Sequence, residues 1–161
     1  MNDAYLLLGS SLGSRELYLY DAKNIISEKV GEVVQSSSLY ETAPWGSSDT
    51  TPFLNQVIQI QTQLLPEKLL STLLEIEKAL GRTRGNIRNE PRTIDIDILY
   101  YGDLVINQQN LTIPHERLHQ RRFVLTPLAE IAPELLHPVL KMTNARLLEI
   151  CEDTLWVKKI D

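Results

Sequence analysis

The chain has 161 residues, 43% of them hydrophobic and 23% charged, which suits one soluble domain with a core and leaves no room for a second of similar size. A net charge of −5 excludes the basic surface of a general nucleic-acid binder, and no apolar run reaches the roughly 20 residues of a membrane-spanning helix. Cys151 is the lone cysteine, so no internal disulfide forms; with no basic segment before the short apolar run of MNDAYLLLGSS, the expected location is the cytoplasm.

In chain order, Ala4 to Leu8 reads as a buried strand closed by the turn GSSLGS. From Glu16 to Val30 apolar residues recur at helical spacing, and Gly31 is placed to terminate that helix. EVVQSSSLYET favours strand, and APWGSSDTTP, punctuated by Pro44, Gly46 and Pro52, is a loop. FLNQVIQIQTQL alternates: Ile58, Ile60 and Thr62 share one face, and Gln59, Gln61 and Gln63 the other, the pattern of a half-solvated strand. Pro66 opens a second helix through Leu69, Leu73 and Ile76, stopped by Gly81. The basic loop RTRGNIRNEPR leads into a strand with Ile94, Ile96 and Ile98 on one face and Asp95 and Asp97 on the other. YYGDLVIN reads as a hairpin turning at Gly102 and Asp103, and FVLTPLAEIAPEL and NARLLEIC as short helices. Strand, helix, strand, strand, helix, strand is the ferredoxin-like βαββαβ order. It predicts an α+β fold: an antiparallel-rich sheet with helices on one side, plus an added C-terminal hairpin and helices, in one domain over residues 1–161.

Two carboxylates on a strand otherwise built as core are the chemical signal. Residues two apart on a strand project together, with about 6.6–6.8 Å between their Cα atoms. Alone, the pair also reads as a solvated face, and the neighbouring arginines as a solvated basic loop. Arg82, Arg84, Arg88 and Arg92 crowd the segment before it, however, and HERLHQRR adds His115, Arg121 and Arg122. Hard carboxylate oxygens favour Mg²⁺ over zinc, and arginine forks bind phosphate bidentately. Together these are the parts required to hold a magnesium-bound polyphosphate. GSSLGS lacks the Gly-Lys-Ser/Thr of a P-loop and is a turn. His115 and His119 have the spacing of a helical zinc pair without His-Glu-x-x-His, which favours a structural role for His119.

Taken together, YLLLGSSLG, LYETAPWG, PFLNQVI, GRTRG with RTIDIDIL, and PHERLHQRRFVLTPLAEIAPEL resemble the 6-hydroxymethyl-7,8-dihydropterin pyrophosphokinases of folate biosynthesis. The resemblance runs from the first strand to about Leu136 with the motifs in family order. It implies the same fold and transfer of the β,γ-pyrophosphoryl group of ATP to the hydroxymethyl oxygen of the pterin, releasing AMP. By resemblance, Asp95 and Asp97 hold two Mg²⁺ ions, and Arg82 and Arg92 stabilise the group in transit. Arg84, His115 and Arg121 contact ATP phosphates, and Glu77, Ile98 and Thr112 complete the nucleotide site. Phe53 and Phe123 match the aromatic pair that sandwiches the pterin, Asn55 the side chain that reads its edge, and Thr42, Ala43 and Trp45 the loop that supplies backbone hydrogen bonds. Asn89 and Glu90 stand where better-known members carry Trp-Gly, so an aromatic cover is missing. Leu74, Asn110, Glu116 and Ser11 also depart from the family pattern.

Two rival readings differ in class. A non-catalytic pterin-binding module has no physical reason to retain paired carboxylates, which repel each other. A ferredoxin-like nucleic-acid binder presents aromatics on an open sheet and a basic surface, whereas this sheet carries aspartates. The expected partners are therefore ATP and the pterin, with no nucleic acid and no membrane, and the expected state is a monomer.

Overall fold

The computed structural model describes residues 1–44, 51–81 and 93–160. A first strand, β1 (Asn2–Ser10), leads through the GSSLGS turn into α1 (Arg15–Lys29). Three strands come next: β2 (Gly31–Ser36), β3 (Leu39–Thr42) and β4 (Phe53–Thr62). Then come α2 (Pro66–Ala79), β5 (Asp95–Tyr101), β6 (Ile106–Gln108) and β7 (Leu111–Ile113). The chain ends with α3 (Arg122–Ile131), α4 (Asn144–Glu149) and β8 (Val157–Ile160). All the strand pairs are antiparallel, and the main sheet has the order β5-β1-β4-β3-β8, with β2 beside the far half of β4. This is the predicted ferredoxin-like core. Among the described residues no helix is long and apolar enough to cross a membrane.

The alternation of apolar residues divides the sheet into two buried faces. Leu6, Leu8, Ile58, Ile60, Ile96 and Ile98 meet α1 and α2 on one side. Helix α1 presents Leu19, Ala22 and Ile26 there, and α2 presents Leu69, Leu73 and Ile76, both at helical spacing. On the other side Leu7, Val57 and Leu99 pack with Val124, Leu125 and Leu128 of α3 and Leu147 of α4. The later helices thus cover part of the second face, which a bare βαββαβ unit leaves open. A bulge assists: Tyr5 pairs with Tyr100 but Leu6 with Ile98, so Leu99 is an extra residue and joins Tyr100 in the α3 core.

Several expectations are corrected. Gly31 does not end α1 through a left-handed turn; it opens β2, where a Cβ would collide with the Gln61 carbonyl. Its small size permits the close approach of β2 to β4. The segment EVVQSSSLYET forms two strands rather than one, because Ser37 interrupts the ladder: its amide donates to Val57 O and its hydroxyl accepts from Val57 N. The chain turns at Gly102, but β5 does not pair with β6. The hairpin forms between β6 and β7. β8, a short edge strand carrying two lysines, is not signalled by the local sequence pattern.

Candidate active site

Beyond the apolar cluster formed with α3 and α4, the same sheet face carries the polar residues that interrupt the core pattern. Asp95 opposes Gly9 on β1, Gly9 opposes Asn55 on β4, and Asn55 opposes Tyr40 on β3. Directly opposed residues point to the same face, so one row across the sheet reads carboxylate, glycine, carboxamide, phenol. Asp97 begins the next row, opposite Leu7 and Val57. Both aspartates are half-buried while Ile96 between them is buried on the opposite face. With strands about 4.8 Å apart, Asp95 and Asn55 stand roughly 10 Å from each other across Gly9.

Gly9 has a steric reason. A Cβ there would lie 2.6 Å from Asn55 Oδ1 and 3.6 Å from Phe53 Cδ1. Asn55 is 3% exposed and Thr42 1% exposed, and Asn55 Nδ2 donates to Thr42 Oγ1 at 2.7 Å. Thr42 therefore fixes the carboxamide and leaves Oδ1 turned toward the glycine. Phe53 opposes Thr42 on this same face, and Phe123, in the first turn of α3, is partly buried against the core beneath it. Arg121 sits over the Phe123 ring with its guanidinium carbon 5.6 Å from the centroid, a cation–π contact. Arg15 of α1 braces the β3 side: Nη2 pairs with Glu41 at 2.9 Å and Nη1 donates to Pro52 O at 3.0 Å.

On the β5 side, Glu77 is buried on α2, and its Oε2 accepts the backbone N–H of Ile96 at 2.7 Å. The carboxylate thereby satisfies an edge-strand amide and holds the strand that carries both aspartates. Ile98 turns its side chain into the helix-side core, so it can offer a ligand only its backbone. Thr112 and His115 line a cavity of about 400 Å³ with Val105, Pro114, His119 and His137. His115 is tied to β5, its N–H donating to Leu99 O at 3.0 Å, and its Nδ1 accepts from Arg117 N. Burial lowers its pKa, the neighbouring Arg121 adding to the effect, so the ring is neutral at pH 7. Burial also loosens the proton of Arg121, as does Arg117, and the Asp97 carboxylate opposes both. Arg121, at the entry to α3, thus lies within electrostatic reach of Asp97 on β5. His119 lies in a single 3-10 turn, Leu118–Gln120, so His115 and His119 form no helical zinc pair. Among the described residues no three His, Cys, Asp or Glu side chains form a metal-binding group. Trp45, Arg82, Arg84 and Arg92 lie outside the described residues.

A family model described as 7,8-dihydro-6-hydroxymethylpterin-pyrophosphokinase matches residues 5–133. A Bacillus subtilis 2-amino-4-hydroxy-6-hydroxymethyldihydropteridine pyrophosphokinase is 44% identical over 135 residues, 83% of this chain and 80% of that protein. The chain belongs to the hydroxymethylpterin pyrophosphokinase family. Membership makes it a transferase, a pyrophosphokinase of folate synthesis. A Pneumocystis carinii folic acid synthesis protein is also 44% identical, over 90% of this chain but only 20% of that longer protein. A Plasmodium falciparum HPPK-DHPS structure, solved with pterin and p-hydroxybenzoate, superposes with a TM-score of 0.74 at 20% identity. It covers 92% of this chain, which spans 41% of the Plasmodium chain, and shows the shared fold.

In this pyrophosphokinase the structure brings together Asp95, Asp97, Asn55, Thr42, Phe53, Phe123 and Arg121 around one face. It also reveals participants that pattern reading missed. Gly9 read only as the start of a turn, although a glycine at the end of an apolar strand signals a close approach. Tyr40 and Ser38 donate to Glu130 of α3 at 2.8 and 2.7 Å, fastening that helix to β3. Burial raises the Tyr40 hydroxyl to about 12, the bond to Glu130 adding to it, so it remains a donor. No local sequence signal joins residues 90 positions apart.

Proposed function

We propose that this pyrophosphokinase transfers the β,γ-pyrophosphoryl group of ATP to the hydroxymethyl oxygen of 6-hydroxymethyl-7,8-dihydropterin. The observation that carries the reading is the row Asp95–Gly9–Asn55, with Asp97 in the next row. In this reading its Asp95 end takes the metal and its Asn55 end the heterocycle, separated by a glycine gap. The Bacillus subtilis relative, named a hydroxymethyldihydropteridine pyrophosphokinase, supports the choice of heterocycle.

In this reading Asn55, fixed by Thr42, hydrogen-bonds the pterin edge, while Phe53 and Phe123 stack on its faces. The loop from Thr42 through Ala43 to Trp45 adds backbone hydrogen bonds. The hydroxymethyl arm then points along the row toward Asp95 and Asp97. Two hard carboxylates suit Mg²⁺, and in this proposal Asp95 and Asp97 would hold two ions. Magnesium held there would neutralise charge on the phosphates and make the hydroxyl more acidic.

The pterin oxygen attacks the β-phosphorus, the bond from that phosphorus to the α,β-bridging oxygen breaks, AMP leaves and the hydroxyl proton is released. Arg82 and Arg92 stabilise the group in transit, and Arg84, His115 and Arg121 hold phosphates. His115 donates through Nε2, because its Nδ1 accepts from Arg117 N. Thr112, the Ile98 backbone and Glu77 complete the nucleotide site, Glu77 by holding β5. The test uses ATP labelled separately at its β- and γ-phosphates. Both labels should reach the pterin, with AMP formed in equal amount; ADP with the γ-label alone transferred would overturn the assignment.

A further inference from the structure

The last ten described residues, 151–160, lie beyond the segment matched by the family model, which ends at residue 133. Their contacts fall on both walls of the proposed pterin cleft. At one wall Arg122, directly before Phe123, grips the segment three times. Its Nε donates to Asp153 O, its Nη2 to Cys151 O and its backbone N–H to Asp153 Oδ2, each at 2.9 Å. Asp153 Oδ1 accepts from Leu155 N at 3.0 Å, which turns the chain toward the sheet. At the other wall Ala43 N donates to Trp156 O at 3.2 Å, and β8 then pairs along β3 with Val157 opposite Thr42.

The two ends of α3 are thus tied to β3 by different means. Glu130, near its C-terminus, binds Ser38 and Tyr40 directly. The N-terminal end, which carries Phe123, reaches β3 through the C-terminal strap. Releasing the strap leaves the Glu130 end fastened and frees the Phe123 end to move, which changes the gap between Phe123 and the Thr42–Asn55 wall.

We propose that Arg122 and Asp153 are positioning residues of the pterin cleft, acting through the strap formed by residues 151–160. The inference rests on the reading that this cleft takes the pterin. The arginine fork matters because two of its donors grip two carbonyls at once, which a lysine cannot reproduce.

The experiment uses the full chain and measures binding of 6-hydroxymethylpterin and of a non-hydrolysable ATP analogue with Mg²⁺, together with steady-state KM and kcat. Arg122→Ala should weaken pterin affinity and raise its KM about tenfold, with analogue affinity changed less than about twofold. Arg122→Lys should recover only part of the loss. Asp153→Ala should give the same selective shift, and the double variant should be no worse than the weaker single one, because both act through one tie. If Arg122→Ala fails to fold, Arg122→Lys and Asp153→Ala carry the test. Unchanged pterin affinity in the folded variants, or equal loss for both ligands, would refute the strap. Failure of the wild type to bind the pterin would instead refute the functional reading.

Discussion

Replacing Gly9 by alanine tests the central row of the site with a single methyl group. The added Cβ would stand 2.6 Å from Asn55 Oδ1, about 0.8 Å inside ordinary van der Waals contact. Phe53, at 3.6 Å, is in normal contact and need not move. Asn55 cannot retreat without breaking the 2.7 Å bond from its Nδ2 to Thr42, since both residues are buried. Losing that bond and leaving a buried amide partly unsatisfied costs about 2–3 kcal/mol. For a domain of this size the melting temperature should fall by roughly 5–10 °C. The displaced carboxamide should also lose its hydrogen bonds to the pterin edge, weakening affinity by about 10–100-fold. Calorimetric titration of 6-hydroxymethylpterin, with an ATP analogue as comparison, reads the second effect, and thermal unfolding the first. Gly31→Ala provides the contrast. Its Cβ meets the Gln61 backbone at the far end of β4, so it should reduce stability while folded protein keeps wild-type pterin affinity. A folded Gly9→Ala protein binding pterin within twofold of wild type would refute the reasoning, because Asn55 would then not be the edge reader.

Two further outcomes are expected. Asp97→Asn should lower turnover on the order of 10³-fold by removing a proposed metal ligand, with the fold retained because the residue is only half-buried; near-normal turnover at saturating Mg²⁺ would contradict the metal role. Burial depresses both His115 and His137 below the ordinary 6.5, and His137 Nδ1 accepts the amides of Val139 and Leu140, bonds that protonation removes. The unfolded chain therefore binds these protons more readily, so their contribution to stability is complete above about pH 6.5 and lost as pH falls through the folded values. Chemical denaturation from about pH 7 to pH 5 should show a shallower loss in a His115→Gln, His137→Gln variant, and an unchanged slope would contradict this.

What the sequence by itself determined is local. Alternation in IDIDIL and in QVIQIQT set which residues face the helices, because side-chain direction on a strand is dictated by position. Pro66 and Gly81 bounded α2 for equally local reasons, a fixed φ at the start and a φ of +88° past the end. The aspartate pair was legible for the same cause, and the motif order identified the chemistry to expect of it. Tertiary structure decided what depends on register between distant strands. That Gly9 lies between Asp95 and Asn55 results from two ladders, neither encoded near Gly9 itself. The bulge at Leu99 cannot be read from a continuous apolar run, since Leu99 and Tyr100 satisfy either face equally well. The bond from the Ile96 amide to Glu77 could not be read locally, because that edge-strand demand exists only once β5 is in place. The strap is the furthest from sequence: VKKI is too short and too polar to predict a strand, and it becomes one because β3 offers an unpaired edge for it to complete.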